Sequence, residues 1–214
     1  MEMLKQGIAT LFGDPDPDHA REFFRKKSRK MESKLMTVKE AVEKFIHDGD
    51  YFASGGFGAN RISTAVLHEM LRQGRKNMGL AGHTTTHDFQ ILCAGKVFNK
   101  LDASYVVGLE ARGLSPNARK YLESGEVDIT DWSNYALATR FKAAAMGVSF
   151  LPFRGSMGTD TFKYGAGKTI ECPFTGETYM AVPALYPDVT AIHVHEADIY
   201  GNCRIRGVSA ADIE

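Results

Sequence analysis

The chain has 214 residues, of which 43% are apolar and 24% are charged, the balance of an ordinary soluble globular domain. Lysine plus arginine and aspartate plus glutamate each number 26, so no net field favours nucleic acid or a membrane surface. No apolar run approaches the length of a membrane span, and no signal-peptide core is present. The three widely spaced cysteines form no CxxC motif, which predicts free thiols in a cytoplasmic protein.

Residues 1–34 differ in composition from the rest of the chain, and we predict that they form a basic helical extension ahead of a domain at 35–214. A turn-rich run over 13–18 precedes a basic segment that fits a helix over 19–31, with Asp18 placed to cap it. This helix either contacts a phosphate or an acidic partner, or packs as a solvated helix on its own or a neighbouring subunit.

Two helix starts frame the first strand of the domain. Thr37 and Glu40 form a capping box, which predicts a helix leading into the turn at Asp48. Asn60 or Ser63 is placed to cap the following helix, which has apolar residues at helical spacing.

The stretch between these helices combines an apolar strand with a glycine cluster. Residues 51–54 fit a buried parallel strand. Gly55, Gly56 and Gly58 allow positive φ, so that consecutive N–H groups can face one concavity. The arrangement is either a site for an anion or a developing oxyanion, or a tight strand-to-helix turn that binds nothing.

A second loop of this kind follows the next strand. We predict a strand over 77–81, a Gly/Thr/His loop over 82–87 and a helix over 88–94. Such loops carry ligand contacts in α/β folds. His83 and His87 invite a metal interpretation, but no Cys, Asp or Glu nearby completes a ligand set. We therefore expect hydrogen-bonding or structural histidines and no metal.

Strands and helices continue to alternate along the chain. The predicted elements are a strand over 100–108, a helix over 115–123, a strand over 126–132, a helix from 134 to about 146, and strands over 150–153, 179–183 and 189–195. The polar segment 154–178 is predicted to be a hairpin-like loop. This order predicts an α/β fold with a largely parallel sheet.

Three smaller features complete the pattern. Asn134 lies at a strand-to-helix corner, where its amide either meets a ligand or satisfies the helix terminus. His193 and His195 are predicted to share one strand face without further metal ligands. Gly201 and Asn202 form a hairpin-turn signal.

Five motifs in chain order carry a family resemblance. They are DGDYFASGGFG at 48–58, SYVVG at 104–108, TDWSN at 130–134, AAAMGVSFLP at 143–152 and AIHVHEADIYGN at 191–202. From Thr37 to Arg206 the chain resembles the α (A) subunits of class I coenzyme A transferases, and within them the glutaconate CoA-transferase branch. Ser54, Arg61 and Ser63 depart from the most common form of the first motif.

The resemblance implies a mostly parallel open sheet with helices on both faces, of the CoA-transferase/ribose-phosphate-isomerase-like kind. It also implies a homologous β subunit whose glutamate is the nucleophile, with an acyl-CoA and a carboxylate as substrates. This chain would line the acyl and oxyanion pocket, with Asn134 close to the reacting carboxylate. The expected substrate-contacting residues are Gly55, Gly56, Phe57, Gly58, Gly82, His83 and Thr84.

Several alternatives stay open. The same scaffold serves CoA-thioester hydrolases and decarboxylases, and a third possibility is a non-catalytic chain that binds and stabilises its partner. Glu110 is either a nucleophile of this chain or a loop or interface residue. Because α subunits of this branch continue beyond the position of Glu214, we expect the domain to be truncated at its C-terminal end.

Overall fold

A computed structural model of the chain describes residues 4–106, 115–207 and 209. Its helices are α1 (Pro17–Arg25), α2 (Val38–Phe45), α3 (Thr64–Arg72), α4 (His87–Gly95), α5 (Pro116–Leu122), α6 (Asn134–Met146) and α7 (Asp160–Lys163). Its strands are β1 (Tyr51–Ser54), β2 (Met78–Gly82), β3 (Phe98–Ala103), β4 (Asp128–Asp131), β5 (Phe150–Phe153), β6 (Lys168–Glu171), β7 (Thr178–Pro183), β8 (Val189–Ala191), β9 (Glu196–Ala197) and β10 (Cys203–Arg204).

Five of these strands form a parallel sheet in the order β4-β3-β2-β1-β8. The central strands β1 and β2 are buried along their whole length, as their continuous apolar and small-residue sequences require. In their register Ala53 pairs with Ala81 and Ser54 with Gly82, so the two strands end together at one edge of the sheet.

Each face of the sheet carries its own apolar core. Helices α2, α3, α4 and α5 cover the face that presents Phe52, Leu80 and Leu101. Helix α6 and a second sheet cover the face that presents Tyr51 and Ala81. The predicted α/β class, with a mostly parallel sheet between helices on both faces, is confirmed.

The second sheet is antiparallel, with the order β5-β7-β6. The positions of β5 and β7 agree with the prediction, but both pair outside the parallel sheet. The prediction of a hairpin-like loop over 154–178 is wrong in part, because this segment contains α7 and β6. Phe162 of α7 and Met180 of β7 are buried in the core below α6, which gives the polar segment an apolar anchor.

Local capping signals fix most helix starts. Thr37 and Glu40 form the predicted capping box of α2, and the Ser133 hydroxyl accepts a hydrogen bond from the Ala136 N–H at 3.1 Å. Neither predicted cap acts at α3: Ser63 precedes this helix, but its hydroxyl donates to the Ala191 carbonyl at 3.4 Å.

The residues ahead of α1 pack into the domain. The Gly7 and Ala9 N–H groups donate to the carbonyls of Gly167 and Gly165 at 2.9 and 3.1 Å, and Phe12 is buried. Helix α1 is shorter than the predicted 19–31 helix, and its cap is Asp16 instead of Asp18. None of its residues is buried.

The end of the described chain forms a small hairpin of β9 and β10, with Gly201 at φ +90° in its turn, as the sequence predicts. Strand β8 ends at Ala191, so the prediction that His193 and His195 share a strand face is wrong. His193 Nδ1 instead lies 3.4 Å from the Ile62 carbonyl oxygen.

A buried polar cluster joins the sheet to α6. The Asp102 carboxylate accepts hydrogen bonds from the Tyr51 hydroxyl and from the Trp132 indole N–H, the latter at 2.6 Å. Arg140 Nη1 lies 2.5 Å from Asp102 Oδ1 as an ion pair, although not at the angle of a hydrogen bond. The guanidinium stacks 4.5 Å from the Trp132 ring and donates from Nε to the Pro183 carbonyl at 3.1 Å. Both charged side chains are fully buried.

Candidate functional site

The loops that follow β1, β2, β3 and β4 meet at the carboxyl edge of the parallel sheet, the edge at which α/β folds bind ligands. The Gly58 N–H donates to the Thr84 carbonyl at 3.1 Å, which joins the first two loops. Asn134 Oδ1 accepts from the Tyr105 N–H at 3.0 Å, and its Nδ2 donates to Thr84 Oγ1 at 3.1 Å. Four loops are therefore tied into one unit.

The glycine loop after β1 is a tight turn in which most N–H groups already have partners. The N–H groups of Gly55, Phe57 and Gly58 donate to the carbonyls of Ala191, Asn60 and Thr84 at 2.9, 3.1 and 3.1 Å. The interpretation in which these N–H groups converge on an anion is therefore not supported for these three residues. The alternative interpretation, a strand-to-helix turn, describes their geometry.

Gly56 shows why this turn needs glycine. Its φ is +97°, and a Cβ atom there would lie 2.7 Å from the Asn60 carbonyl oxygen. Gly58 also has a positive φ, of +61°, but a Cβ atom there would meet nothing within 4 Å. The two glycines thus serve different needs, close backbone approach at one and backbone conformation at the other.

The loop after β2 contains a residue with a strained backbone conformation that the sequence does not predict. Thr84 is β-branched yet has φ +50°, a conformation that costs such a residue on the order of 1–3 kcal/mol. Thr84 is 9% exposed, and both its carbonyl and its hydroxyl form hydrogen bonds that join the loops. At Gly82 a Cβ atom would lie 2.2 Å from Thr85 Cγ2, so the loop folds back closely on the strand end.

Both histidines of this loop form hydrogen bonds with threonine hydroxyls. His83 Nδ1 lies 3.1 Å from Thr84 Oγ1, and His87 Nε2 lies 3.2 Å from Thr64 Oγ1. The His83 ring also packs against Phe57, with 5.8 Å between ring centroids. Within the described ranges, no three His, Cys, Asp or Glu side chains come together as a possible metal site.

Asn134 is the first residue of α6, but its amide does not cap the helix, because the Ser133 hydroxyl does so. The helix-terminus interpretation is therefore wrong for this side chain. Its two polar atoms bridge Tyr105 and Thr84 instead, in a half-buried position at the strand-to-helix corner.

A cleft of about 410 Å³ adjoins these loops, in the size range of small-molecule sites. One wall is the sheet face near Ala53 and Thr190, and the opposite wall is α6 near Ala138 and Phe141. Among the residues predicted for the site, Gly55 and His83 line this cleft. Asn134 is connected to it through Thr84 and His83.

Two contributors lie within predicted segments but were not named individually, Tyr105 in the SYVVG motif and Thr86 in the loop over 82–87. The Tyr105 N–H holds Asn134, and the Thr86 hydroxyl donates to the Gly58 carbonyl at 2.8 Å. Their positions directly after β3 and β2 would have indicated the same sheet edge. Glu110, a candidate nucleophile of this chain, lies outside the described residues.

Burial changes the acidity of a neighbouring carboxyl. Asp88 is buried, and removal from water raises its pKa above the usual range for aspartate. Its Oδ1 accepts a hydrogen bond from the Thr86 N–H at 2.7 Å, which acts in the opposite direction. Asp88 therefore holds the backbone of the His83 loop.

Sequence comparisons identify relatives of the chain. A profile of the family described as Coenzyme A transferase matches residues 35–211. The α (A) subunit of 3-oxoadipate CoA-transferase from Pseudomonas knackmussii is 37% identical over 180 residues, covering 82% of this chain and 63% of that protein. The α (A) subunit of glutaconate CoA-transferase from Acidaminococcus fermentans is 30% identical over 204 residues, covering 85% and 62%.

Two solved structures are similar to this chain. Glutaconate coenzyme A-transferase from Acidaminococcus fermentans superposes with a TM-score of 0.78 at 30% identity, covering 84% of this chain and 62% of that chain. A variant of the decarboxylase AibA/AibB has a TM-score of 0.75 at 29% identity, covering 81% of this chain and 67% of that chain.

An uncharacterized protein of Archaeoglobus fulgidus is a further sequence relative, 49% identical over 216 residues, covering 100% of this chain. The chain spans 48% to 63% of the length of these three sequence relatives.

In the described parts of the chain, no helix has the length and apolar character needed to cross a bilayer.

Proposed function

The chain belongs to the coenzyme A transferase family, and on that premise we propose that it is the α subunit of an enzyme that moves CoA between an acyl-CoA and a carboxylic acid. Two of its relatives are the α (A) subunits of such enzymes. We propose that its partner is a homologous β subunit, and we assign the nucleophilic glutamate of the family to that partner.

In the proposed reaction the partner's carboxylate attacks the thioester carbonyl carbon, and the C–S bond breaks to release the CoA thiolate. The thiolate then attacks the glutamyl carbonyl of the resulting anhydride, forming an enzyme–CoA thioester and releasing the donor carboxylate. The acceptor carboxylate takes the CoA by the same two steps in reverse order. Covalent catalysis divides one difficult exchange into easier steps and conserves the energy of the thioester.

The observation that carries the proposal for this chain is the joining of four loops at one sheet edge beside the cleft. Thr84 bonds to the Gly58 N–H through its carbonyl and to Asn134 through its hydroxyl. A reaction through oxyanionic intermediates is accelerated by polar groups that are fixed in advance, because no reorganisation is then needed. A strained residue held by several bonds is typical of such sites.

We further infer that the cleft receives the acyl part of the substrate. Its walls are mostly apolar, with Ala138 and Phe141 on one side and Ala53 on the other. His83 lies on the wall beside the tied loops. An acyl chain in the cleft would therefore have its thioester end near the polar groups and its apolar tail along α6.

The test is CoA exchange by the chain assembled with its β subunit, using glutaconyl- or 3-oxoadipyl-type thioesters and short carboxylates. We expect exchange by the complex and none by either chain alone. Exchange by this chain without a partner would contradict the assignment of the nucleophile.

A matched pair of variants links the activity to the loop contacts. We expect Asn134→Ala to lower kcat by about tenfold or more, because two loop contacts are lost together. Asn202→Ala is the control, since Asn202 also forms a side-chain bond, to Asp198 at 2.7 Å, but lies in the exposed β9–β10 hairpin. Equal rates in the two variants would remove Asn134 from the site.

A second candidate function keeps the scaffold and changes the reaction. The decarboxylase AibA/AibB superposes almost as well as the transferase, with TM-scores of 0.75 and 0.78. Product analysis separates the candidates, because a hydrolase releases free CoA without an acceptor and a decarboxylase releases CO2 from an intact thioester. A complex that forms but turns over no thioester would instead indicate a chain that only binds and stabilises its partner.

A further inference from the structure

We propose that helix α1 closes one end of the cleft with Phe24, and that this closure limits the acyl chain of the substrate to about eight carbons. This role of α1 rests on the proposed function, in which the cleft receives the acyl group. It gives the basic helix ahead of the domain a place in the site and gives the substrate a length.

The cleft has two different ends. The loop end lies at the tied loops, where Gly55 and His83 line the cleft directly after β1 and β2. The other end lies toward the opposite edge of the sheet, where Asp188 lines the cleft. The Asp188 N–H donates to the carbonyl of Tyr51, the first residue of β1, at 2.9 Å. With the acyl carbonyl at the loop end, the tail extends toward this second end.

Helix α1 lies at the second end. Its Arg21 packs beside the C-cap glycine of α6, since a Cβ atom at Gly147 would lie 2.6 Å from Arg21 Nη2. Phe24 and Lys27 follow at intervals of three residues, on the same side of the helix, and both line the cleft. Lys27 Nζ lies 4.5 Å from the centroid of the Phe24 ring. An apolar tail that reached past the ring would therefore take a charged group out of water, which is unfavourable.

The elements beside the cleft give its length. The α6 residues that line it run from Ala138 to Ala145, seven positions apart, or about 10 Å along the helix axis. The strand on the other wall, from Tyr51 to the Gly55 that follows it, measures about 13 Å. An extended hydrocarbon chain advances about 1.25 Å per carbon, so about eight carbons extend along α6. The slightly longer strand leaves room for the thioester carbonyl at the loop end.

The exposure of Phe24 agrees with a role at the cleft. The side chain is 40% exposed, and none of the residues of α1 is buried, so the ring belongs to neither apolar core. Contact with an acyl tail would remove apolar surface of both groups from water, which favours binding. The neighbouring Phe23 has a similar exposure of 45% but faces a separate hollow beside α2. The two residues therefore form a matched pair for an experiment.

The experiment is the chain-length profile of thioester turnover by the complex with the β subunit, measured with saturated acyl-CoAs from butyryl- to tetradecanoyl-CoA and acetate as acceptor. We expect kcat/KM to rise up to octanoyl-CoA and to fall at least tenfold by dodecanoyl-CoA, because the longer tail meets Phe24. Phe24→Ala should turn over dodecanoyl-CoA at least fivefold faster than the wild type, and Phe23→Ala should keep the wild-type profile. A wild-type profile without this fall, or equal profiles in the two variants, would overturn the role of Phe24.

Filling the cleft is a test in the opposite direction that does not depend on Phe24→Ala. Ala144 lines the cleft near its second end and is half-buried, and leucine suits a helix almost as well as alanine. We expect Ala144→Leu to lower the turnover of octanoyl-CoA at least fivefold and to keep that of butyryl-CoA within twofold. The matched control is Ala94→Leu on the exposed side of α4, outside the cleft, which should change neither. Equal losses with both substrates in Ala144→Leu would contradict the assigned direction of the tail.

Binding without turnover distinguishes this role of α1 from the proposed function. Isothermal titration of the complex with saturated carboxylates from hexanoate to dodecanoate measures the cleft directly. We expect the affinity to rise up to octanoate and then to level off in the wild type, but to continue rising in Phe24→Ala. This binding pattern in a complex that turns over no thioester would count against the proposed function alone. Turnover with one chain-length profile in all variants would count against closure by α1 alone.

Discussion

The hydroxyl of Tyr51 on β1 donates a hydrogen bond to the carboxylate of Asp102 on β3, across the intervening strand β2. The bond is possible because β2 has a glycine, Gly79, under the tyrosine ring. A Cβ atom at Gly79 would lie 2.3 Å from Tyr51 Cδ2. The glycine is therefore required by packing in the middle of a strand, where glycine is otherwise unfavourable.

We expect Gly79→Ala to lower the free energy of unfolding by about 2–3 kcal/mol, since the added methyl overpacks a buried contact. Urea unfolding monitored by circular dichroism measures the change. The control is the same substitution in a Tyr51→Leu background, where the ring is absent and the penalty should fall by at least half. Equal penalties in both backgrounds would contradict this account.

A second prediction concerns the buried ion pair between Asp102 and Arg140. Asp102→Asn should destabilise the fold by about 3–5 kcal/mol, because it leaves a fully buried guanidinium without its counter-charge. Adding Arg140→Met should recover part of that loss, since Asn can still accept from Trp132 and no unpaired charge is left. Glu126→Gln at the exposed Lys96–Glu126 pair is the control and should cost about 1 kcal/mol or less.

Two glycines of the loop after β1 should differ in how much stability is lost when they are replaced. One has only an unfavourable φ for other residues, and the other also lacks space for a side chain. Gly58→Ala meets no neighbouring atom and should cost about 1 kcal/mol, from its φ of +61°. Gly56→Ala has an unfavourable φ of +97° and also approaches the carbonyls of Asn60 and Arg61, so a loss at least twice as large is expected. Thermal unfolding of the two variants tests this order, and equal stability would show that the turn at Gly56 relaxes easily.

Asp88 gives the protein a defined response to pH. Burial raises its pKa, so the folded state binds the proton more tightly than the unfolded state does. Its contribution to stability is therefore most favourable below the unfolded pKa of about 3.9 and declines as pH rises through the folded pKa. Compared with Asp88→Asn, whose amide oxygen can still accept from Thr86, the wild type should gain stability as pH falls through this window. A stability difference that does not change with pH would refute the assignment.

The three cysteines should differ in reactivity. Burial raises the pKa of Cys93 to about 12, so its thiol stays protonated and inaccessible. Hydrogen bonds from the Thr175 side chain and from nearby N–H groups lower the pKa of Cys172. With iodoacetamide near pH 8 we expect Cys172 to be alkylated faster than the exposed Cys203, and Cys93 only after unfolding. Thr175→Ala should slow the alkylation of Cys172 and leave the rates at the other two cysteines unchanged. Mass spectrometry of the peptides measures the alkylation of each cysteine.

Short-range signals made much of this fold predictable. The capping box at Thr37, the proline at the start of α5 and the Ser133 cap act within four residues, so their effect can be read directly from the sequence. Strand positions were also largely correct, because apolar runs between turns are local features. The partners of β5 and β7 were not predictable, since an apolar strand does not reveal which sheet it joins.

The parts of the site that escaped prediction depend on distant residues. The contact between Asn134 and Thr84 joins positions 50 residues apart, and Thr84 has a backbone conformation that its side chain disfavours. The glycine cluster predicted that its N–H groups converge. It did not indicate that the N–H groups of Gly55 and Gly58 donate to the carbonyls of Ala191 and Thr84, which lie in other segments. Sequence therefore indicated that these loops share one edge of the sheet, without indicating which of their groups donate hydrogen bonds and which accept them.

The bonds that tie the four loops also determine how the site would respond to a ligand. Amide hydrogens at Gly58 and Tyr105 are held by Thr84 and Asn134 and not by the sheet, so they exchange with solvent only when the loops separate. Because Thr84 holds Gly58 directly and Tyr105 through Asn134, we expect displacement of Thr84 to loosen both connections. Deuterium uptake at these two positions should therefore rise and fall together, and a molecule bound in the cleft should slow both by the same factor.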